Sequence, residues 1–158
     1  MAIPERIPVT YFEDYYTSHI GFYNNGKQFW AQIVASIDPN IHNEPRHGDE
    51  WHKYKRWYAI LHKFDEHGKH LETEHWFAGT TADGEQEVIE RARQRRDDMI
   101  TKLGHVEFRD IAIRLFQVEI DKDLFGLIDT SSTEFGETVT MEPADFVFYP
   151  PWTGEYDT

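Results

Sequence analysis

The chain has 158 residues, a length at which one domain buries roughly two thirds of the surface of its unfolded chain. It contains no cysteine, which excludes disulfides, thiol nucleophiles and thiolate metal sites. Its 16 basic and 29 acidic residues give a formal net charge of −13, which should repel nucleic acids and anionic membranes from most of the surface. We therefore expect residues 1–158 to form a single domain that binds neither.

The N-terminal segment MAIPERIPVTYFEDYY has neither the basic start nor the apolar run of a signal peptide. No apolar stretch approaches the roughly 20 residues of a membrane-spanning helix. The aromatic content of 15% separates the sequence from disordered acidic chains, which lack the large side chains that offset chain entropy. These features predict a folded cytoplasmic protein.

The first predicted element is a β-hairpin around Asn25 and Gly26, since this dipeptide tolerates the positive φ angles of a type I′ turn. With these two residues as the loop, Asn24 would lie opposite Lys27. The two strands would then share one apolar face, formed by Ile20, Phe22, Phe29, Ala31 and Ile33.

A long loop over residues 38–50 separates this hairpin from a second one. Its strands are predicted over 56–64 and 70–77, and Gly68 suits the left-handed position of a bulged turn between them. The expected cross-strand pairs are His62 with Glu72, Phe64 with His70, and Trp57 with Phe77.

An amphipathic helix is predicted over residues 83–103. Asp83 and Gln86 have the spacing of a capping box, and Gly104 suits a C-terminal stop. Its apolar stripe consists of Val88, Ile89, Ala92, Met99, Ile100 and Leu103. The helix should pack across the sheet.

The remaining chain is predicted to return to strands. A hairpin is expected within residues 110–128, with its turn near 122–123, and the last strands over 138–141 and 146–149. Pro150 and Pro151 end the pattern because proline cannot donate to a ladder. The expected fold class is α+β: an antiparallel, hairpin-rich sheet with one main amphipathic helix packed on it.

Histidines are concentrated between residues 42 and 75. Imidazole and carboxylate groups can bind zinc or iron, and four such residues would share one face of the second hairpin: His62, His70, Glu72 and Glu74. No metal motif of a known spacing is present, so solvated strand and turn residues are the alternative interpretation. A metal-dependent enzyme is one hypothesis that follows, although no cofactor is expected from any motif.

Other catalytic signatures are absent from the sequence. There is no nucleophile elbow of the form GxSxG, no P-loop and no dinucleotide-binding GxGxxG motif. A basic aromatic stretch at Lys53, Lys55, Arg56 and Trp57 could contact a nucleic acid, but the overall charge opposes this. No catalytic residue is predicted.

The most distinctive feature is the acidic C-terminal quarter, which contains no Lys or Arg after Lys122. Carboxylates alternate there with aromatic residues, a combination that suits hot-spot anchors within an acidic rim. The alternative is an aromatic core under a solubilising coat. The predicted partner-binding residues are Asp129, Glu134, Glu137, Glu142, Asp145, Trp152, Glu155, Tyr156 and Asp157.

Four segments resemble a group of small uncharacterised bacterial proteins: KRWYAILHKFD at 55–65, GTTADG at 79–84, FGLID at 125–129 and FYPPWTGEYDT at 148–158. The likeness extends over most of the chain from about residue 21. Some members of that group are labelled as similar to the formate hydrogenlyase regulator HycA. The label implies transcriptional control, and the resemblance identifies no catalytic residue.

The leading hypothesis is a non-enzymatic binding protein of the bacterial cytosol. Its acidic, aromatic C-terminal surface would take a basic protein partner, as an immunity protein neutralises a toxin. A metal-dependent enzyme and a regulatory protein are the alternatives. Each of these three hypotheses requires residues from different parts of the chain to lie close together in the folded protein.

Overall fold

The computed structural model describes residues 2–37 and 55–158. The elements within them are β1 (Ile7–Val9), β2 (Ile20–Tyr23), β3 (Lys27–Ile37), β4 (Lys55–Phe64), β5 (His70–Thr80), a 3₁₀ turn (Thr81–Asp83), α1 (Glu85–Lys102), β6 (Val106–Phe108), β7 (Ile111–Ile113), β8 (Phe116–Ile120), β9 (Asp123–Asp129), β10 (Val139–Glu142) and β11 (Phe146–Phe148).

The strands form three antiparallel sheets. A five-stranded sheet has the order β5-β4-β3-β2-β6, a four-stranded sheet has the order β11-β10-β9-β8, and β1 pairs with β7. The α+β prediction, with antiparallel hairpins and one main helix, is confirmed. The second and third sheets cover the face of the large sheet that the helix leaves open.

One core lies between α1 and the large sheet. Alternate residues of β3 and β4 face the helix, because strand side chains alternate between the two faces of a sheet. The buried residues of this core are Tyr23, Phe29, Ala31, Ala59, Leu61, Ala78, Val88, Ala92, Met99 and Ile100. Five of the six residues of the predicted helix stripe pack in this core, whereas Ile89 lines a cavity beside it.

The other core lies between the large sheet and the smaller sheets. Trp30, Val34, Tyr58, Ile60 and Phe64 point to this side from β3 and β4. They meet side chains of the smaller sheets, among them Ile7, Ile113, Phe125, Leu127, Val139, Met141 and Phe148. Strands β3 and β4 are consequently buried on both faces.

The first hairpin differs from its predicted register by one residue. Its loop contains Asn24, Asn25 and Gly26, all with positive φ, so Tyr23 rather than Asn24 lies opposite Lys27. The predicted common apolar face is therefore wrong. Ile20 and Phe22 face the second sheet with Trp30, whereas the odd-numbered residues of β3 face the helix: Phe29, Ala31 and Ile33.

The second hairpin contains a bulge next to its turn. Phe64 lies opposite His70 as predicted, but the register then shifts, so that His62 lies opposite Thr73 and Lys63 opposite Glu72. The same shift places Phe77 opposite Tyr58 rather than Trp57, and a second shift beyond that pair places Gly79 opposite Trp57. A bulge adds one residue to one strand, and one residue is enough to move every following side chain to the other face.

The helix begins at Glu85, after the 3₁₀ turn, and ends at Lys102. The Asp83 carboxylate accepts hydrogen bonds from the backbone N–H and the hydroxyl of Thr80, at 2.9 and 3.1 Å. The capping contact is thus made between Thr80 and Asp83, and the predicted pair of Asp83 with Gln86 is wrong. Two short strands, β1 and β6, were not predicted.

A buried amide joins the layers. Gln28 on β3 has no exposed surface; its Nε2 donates to the carbonyl oxygen of Asp65, and its Oε1 accepts from the N–H of Ala112 on β7 at 2.8 Å. The carbonyl of Ala112 in turn accepts from Arg6. This one side chain therefore fixes the β4–β5 turn and the small β1–β7 sheet against the central strand.

Replacing Gln28 by leucine should lower the free energy of unfolding by about 3 kcal/mol, because it leaves two buried backbone groups without partners. Urea denaturation measures this loss. Gln117→Leu, at an exposed position of β8, serves as the control and should change stability by less than about 0.5 kcal/mol. Equal effects of the two substitutions would contradict the assigned bridge.

Candidate functional site

The structure separates the four residues of the predicted metal site. His62 and His70 lie on the face toward the second sheet, with their ring centroids 6.4 Å apart. Glu72 and Glu74 lie on the other face, where both carboxylates contact the Lys63 ammonium. Within the residues that the structure describes, no group of three or more histidine, aspartate or glutamate side chains is arranged to hold a metal ion. His42, His47 and His52 lie outside them.

The two histidines belong instead to a part-buried hydrogen-bond chain, in which only His62 is fully buried. Nδ1 of His62 and Nε2 of His70 both bond the Thr73 hydroxyl, at 2.8 and 2.7 Å. The Phe116 ring stacks on His70 and meets His62 edge-on. Burial, reinforced by the neighbouring His70, lowers the pKa of His62 to about 3.

His62 makes stability depend on pH. Its pKa rises from about 3 in the folded chain to about 6.5 on unfolding, so the unfolded state binds more protons between these values. The free energy of unfolding therefore falls as the pH falls through this window. His62→Gln removes this titrating group. We therefore expect the slope of the free energy of unfolding against pH to decrease by up to about 1.4 kcal/mol per pH unit.

Urea denaturation at several pH values between 7 and 4 measures this difference. His67→Gln is the matched control, because His67 is exposed at the β4–β5 turn. If the free energy of unfolding of His62→Gln depends on pH as steeply as that of the wild type, the prediction is contradicted. The buried imidazole would then accept a proton without leaving its site.

Two side chains of the predicted basic stretch, Lys55 and Arg56, make contacts within the protein. Lys55 lies over the Trp57 ring, 5.0 Å from its centroid, and Arg56 Nη2 donates to the carbonyl oxygen of Asp121. Lys53 lies outside the described residues. The arginines of α1 are divided between different sides of the helix: Arg93 and Arg96 line a cavity with β3, whereas Arg95 packs on Trp76.

The C-terminal segment builds a concave surface that we call the acidic groove. One part, of about 280 Å³, is lined by Phe12, Tyr15, Tyr149, Glu155, Tyr156 and Asp157. A neighbouring part, of about 670 Å³, shares Tyr149 and Asp157 and extends along β10 to the loop that carries Phe135 and Glu137. The two parts adjoin at Tyr149 and Asp157, which line both.

Aromatic rings form one wall of the acidic groove. Phe12, Tyr15 and Tyr156 lie in mutual edge contact, with centroids 6.0 to 6.2 Å apart. The far side of Tyr156 packs on Phe146 and Phe148, each 5.5 Å away. Tyr156 thereby connects the exposed rings to the core.

A hydroxyl pair fixes the orientation of Tyr156. The buried Thr17 hydroxyl donates to the carbonyl oxygen of Thr10 at 2.8 Å, so at 2.9 Å it accepts from the phenol of Tyr156. Burial raises the pKa of Tyr156. This ring is a fixed part of the groove rather than a mobile anchor.

The groove contains three of the predicted carboxylates, Glu137, Glu155 and Asp157, together with the predicted Tyr156. The Asp157 carboxylate lies 3.5 Å from the Tyr149 hydroxyl, and its charge raises the pKa of Tyr149. None of the described residues that line the groove is basic. Negative charge and exposed aromatic surface therefore coincide there.

Five other predicted residues lie away from the groove. Asp129 is on β9, where it accepts from the N–H of Ser131, and Glu134 is exposed in the loop after β9. Glu142 and Asp145 flank the β10–β11 turn, where burial and the carboxylates of Asp145 and Asp123 raise the pKa of Glu142. Trp152 packs against the core between the sheets.

Sequence reasoning missed the N-terminal contribution. Phe12, Tyr15 and Tyr16 are exposed by 36%, 56% and 57%, and the first two line the acidic groove. Two acidic residues, Glu13 and Asp14, lie between them in the sequence and are also exposed. The sequence feature that could have indicated this contribution is the run YFEDYY, which is rich in aromatic and acidic residues and lies in a segment without strand periodicity.

Gly154 holds the C-terminal segment against the N-terminal one. Its carbonyl accepts from the N–H of Thr10 at 3.0 Å, and its φ is +96°. A Cβ there would lie 2.3 Å from Thr10 Oγ1. Beyond it, Asp157 and Val147 exchange two backbone hydrogen bonds. The groove thus depends on a close approach that only glycine permits.

Gly154→Ala should release this segment and raise the hydrogen-exchange rate of the Asp157 amide by about tenfold or more. The matched control is Gly136→Ala, which carries the same positive-φ penalty at +77° but has no atom within 4 Å of the added Cβ. Equal exchange at Asp157 in the two variants would contradict the steric explanation.

Comparison of the chain with protein-family models, with curated proteins and with solved structures gave no match in any of the three. Among residues 2–37 and 55–158, no helix is both long enough and apolar enough to span a bilayer.

Proposed function

We propose that this chain is a non-enzymatic binding protein whose acidic groove takes a basic segment of a protein partner. The observation that carries the proposal is that three carboxylates and the exposed rings of Phe12, Tyr15 and Tyr149 line the two adjoining parts of the acidic groove. Lysine and arginine side chains bind in such surroundings, because the carboxylates pair with their charge and the ring faces attract a cation.

The two kinds of group have different tasks in this proposal. Carboxylates at the rim of an interface mainly accelerate encounter and select the sign of the partner. Desolvated aromatic rings supply most of the binding energy. The net charge of −13 adds long-range attraction for a cationic partner at low salt. An immunity-type protein that neutralises a basic toxin needs both fast encounter with a cationic partner and strong binding to it.

The other two hypotheses have less support. The metal-dependent enzyme loses its proposed ligand set, because Glu72 and Glu74 are bound to Lys63 on the opposite face from His62. A regulatory function, which the resemblance to HycA-like proteins would imply, is compatible with the groove if the regulated target is a basic protein. Direct nucleic-acid binding is opposed by the charge of the chain.

The test uses a labelled peptide of alternating arginine and leucine residues and a groove variant that carries Glu137→Gln, Glu155→Gln and Asp157→Asn. Binding measured by fluorescence anisotropy at low salt should weaken about tenfold, since exposed ion pairs contribute only tenths of a kcal/mol to about 1 kcal/mol each. The difference should shrink as salt is added.

The control removes the same three charges from the exposed surface of α1, with Glu85→Gln, Glu87→Gln and Asp98→Asn. It should keep nearly full affinity. Tyr15→Ala tests the contribution of the aromatic rings to the binding energy. It should weaken peptide binding at high salt as well as at low salt, because salt does not screen apolar contacts. The proposal fails if the groove and helix variants weaken binding equally, because bulk charge would then explain the effect.

A further inference from the structure

The smaller part of the acidic groove, which we call the aromatic cage, has a uniform lining. It encloses about 280 Å³, and every residue that lines it carries either an aromatic ring or a carboxylate: Phe12, Tyr15, Tyr149, Glu155, Tyr156 and Asp157. No aliphatic or basic side chain of the described residues is among them. Four rings and two carboxylates therefore border one small volume.

Three of the rings are arranged as a corner. The centroids of Phe12, Tyr15 and Tyr156 lie 6.0 to 6.2 Å apart, and the ring planes are inclined to one another by 61 to 67°. Planes inclined in this way meet like the walls of a corner. An atom about 3 Å above the triangle of the three centroids lies about 5 Å from each of them, within the roughly 6 Å over which the face of a ring attracts a cation. One cation can thus be close to all three rings.

Contacts outside the aromatic cage hold these walls in place. The backbone N–H of Tyr15 donates to the carbonyl oxygen of Phe12 at 3.2 Å, so a turn brings their two rings together. Tyr156 is bonded to the buried Thr17 hydroxyl, and its far side packs on the core. A site whose walls are already ordered loses little conformational entropy when it binds a ligand.

The polar atoms of the aromatic cage supply charge more than hydrogen bonds. The Tyr156 phenol donates to Thr17, and the Tyr149 hydroxyl faces an Asp157 carboxylate oxygen at 3.5 Å, so both phenols have partners within the protein. Glu155 and Asp157 are exposed. A cation in the cage would therefore lie against ring faces, with negative charge at its rim.

Such a lining distinguishes between cations. An ammonium or guanidinium group has several N–H donors that lose water among aromatic rings, and a buried donor without an acceptor is unfavourable. A trimethylammonium group carries the same charge without any N–H, and its methyl groups make apolar contact with ring faces. The volume of the cage lies just below the range of about 300 to 1,000 Å³ for drug-sized ligands, so a compact head group fits.

We propose that the aromatic cage binds a quaternary ammonium cation of the trimethylammonium type. The head group lies among the faces of the rings, and the Glu155 and Asp157 carboxylates balance its charge. This inference rests on the proposed function, because it assigns a ligand to part of the same groove. It adds a selectivity that the proposed function does not require: the cage prefers a methylated nitrogen to a bare ammonium of equal charge.

Three small probes separate the charge of the head group from its shape. Choline carries the trimethylammonium group, neohexyl alcohol has the same shape with carbon in place of nitrogen, and ethanolamine has the charge without the methyl groups. Titrations followed by NMR should show saturable binding of choline that shifts the backbone amide signal of Asp157. The other two probes should each bind about tenfold or more weakly, because each lacks either the charge or the apolar contact.

Two variants connect choline binding to the aromatic cage. Tyr15→Leu keeps an apolar side chain but removes one ring, and should weaken choline binding about fivefold. Its control is Phe77→Leu on β5, at a ring that is exposed by 48% compared with 56% for Tyr15, and this variant should bind like the wild type. Glu155→Gln with Asp157→Asn keeps the rings and should weaken choline binding about threefold at low salt. Unchanged thermal unfolding midpoints show that the variants are folded.

A second experiment identifies the source of the head group. A peptide of alternating lysine and leucine residues is compared with the same peptide carrying one trimethyllysine. Tighter binding of the methylated peptide assigns the head group to a protein partner. Equal binding of the two peptides, together with saturable choline binding, assigns it to a free cation.

The proposal is overturned if choline does not saturate the protein at millimolar concentration and trimethyllysine adds no affinity to the peptide. It is also overturned if neohexyl alcohol or ethanolamine binds as tightly as choline, or if Tyr15→Leu and Phe77→Leu lose equal affinity. The peptide of arginine and leucine tests the proposed function separately, since it has no methylated nitrogen. If only that peptide binds in the groove, the protein-binding function stands and the cage is rejected; if only choline binds, the protein partner is rejected and the cage stands.

Discussion

Strands β3 and β4 bury both of their faces, and the rest of the structure follows from this requirement. Phe29, Ala31 and Leu61 need an apolar cover on one side, while Trp30 and Tyr58 need one on the other. One helix supplies the first cover. The second needs a separate sheet, because one helix cannot occupy both faces. Burial of the two central strands thus dictates the three layers and the position of the C-terminal half of the chain.

The two concave sites lie where these layers leave gaps. The acidic groove forms where the N-terminal and C-terminal segments meet over the small sheet, held by Thr17, Tyr156 and Gly154. A second cavity, lined among others by Arg93 and Arg96, lies where β2 stops and the helix passes β3. Tyr15 lines both this cavity and the acidic groove.

Register was the weakest part of the sequence-based prediction. A three-residue loop at Asn24, Asn25 and Gly26, in place of two residues, exchanged the faces of the first hairpin. A bulge beside Phe64 did the same to Glu72, which lies with Lys63 on the opposite face from His62. Both errors have one cause: strand side chains alternate with period two, whereas loop length and bulges depend on packing against neighbouring layers. The helix stripe, with period 3.6, has no comparable sensitivity and was predicted correctly.

The sequence by itself determined the antiparallel α+β class, the packing face of the helix and the acidic, aromatic character of the C-terminal quarter, because hydrophobic period and charge are local properties of the chain. Only the tertiary structure decided which carboxylates share a surface. Glu137, Glu155 and Asp157 meet the distant Phe12 and Tyr15, whereas Asp129 and Asp145 do not. Such contacts join residues far apart in sequence through packing that no local pattern encodes.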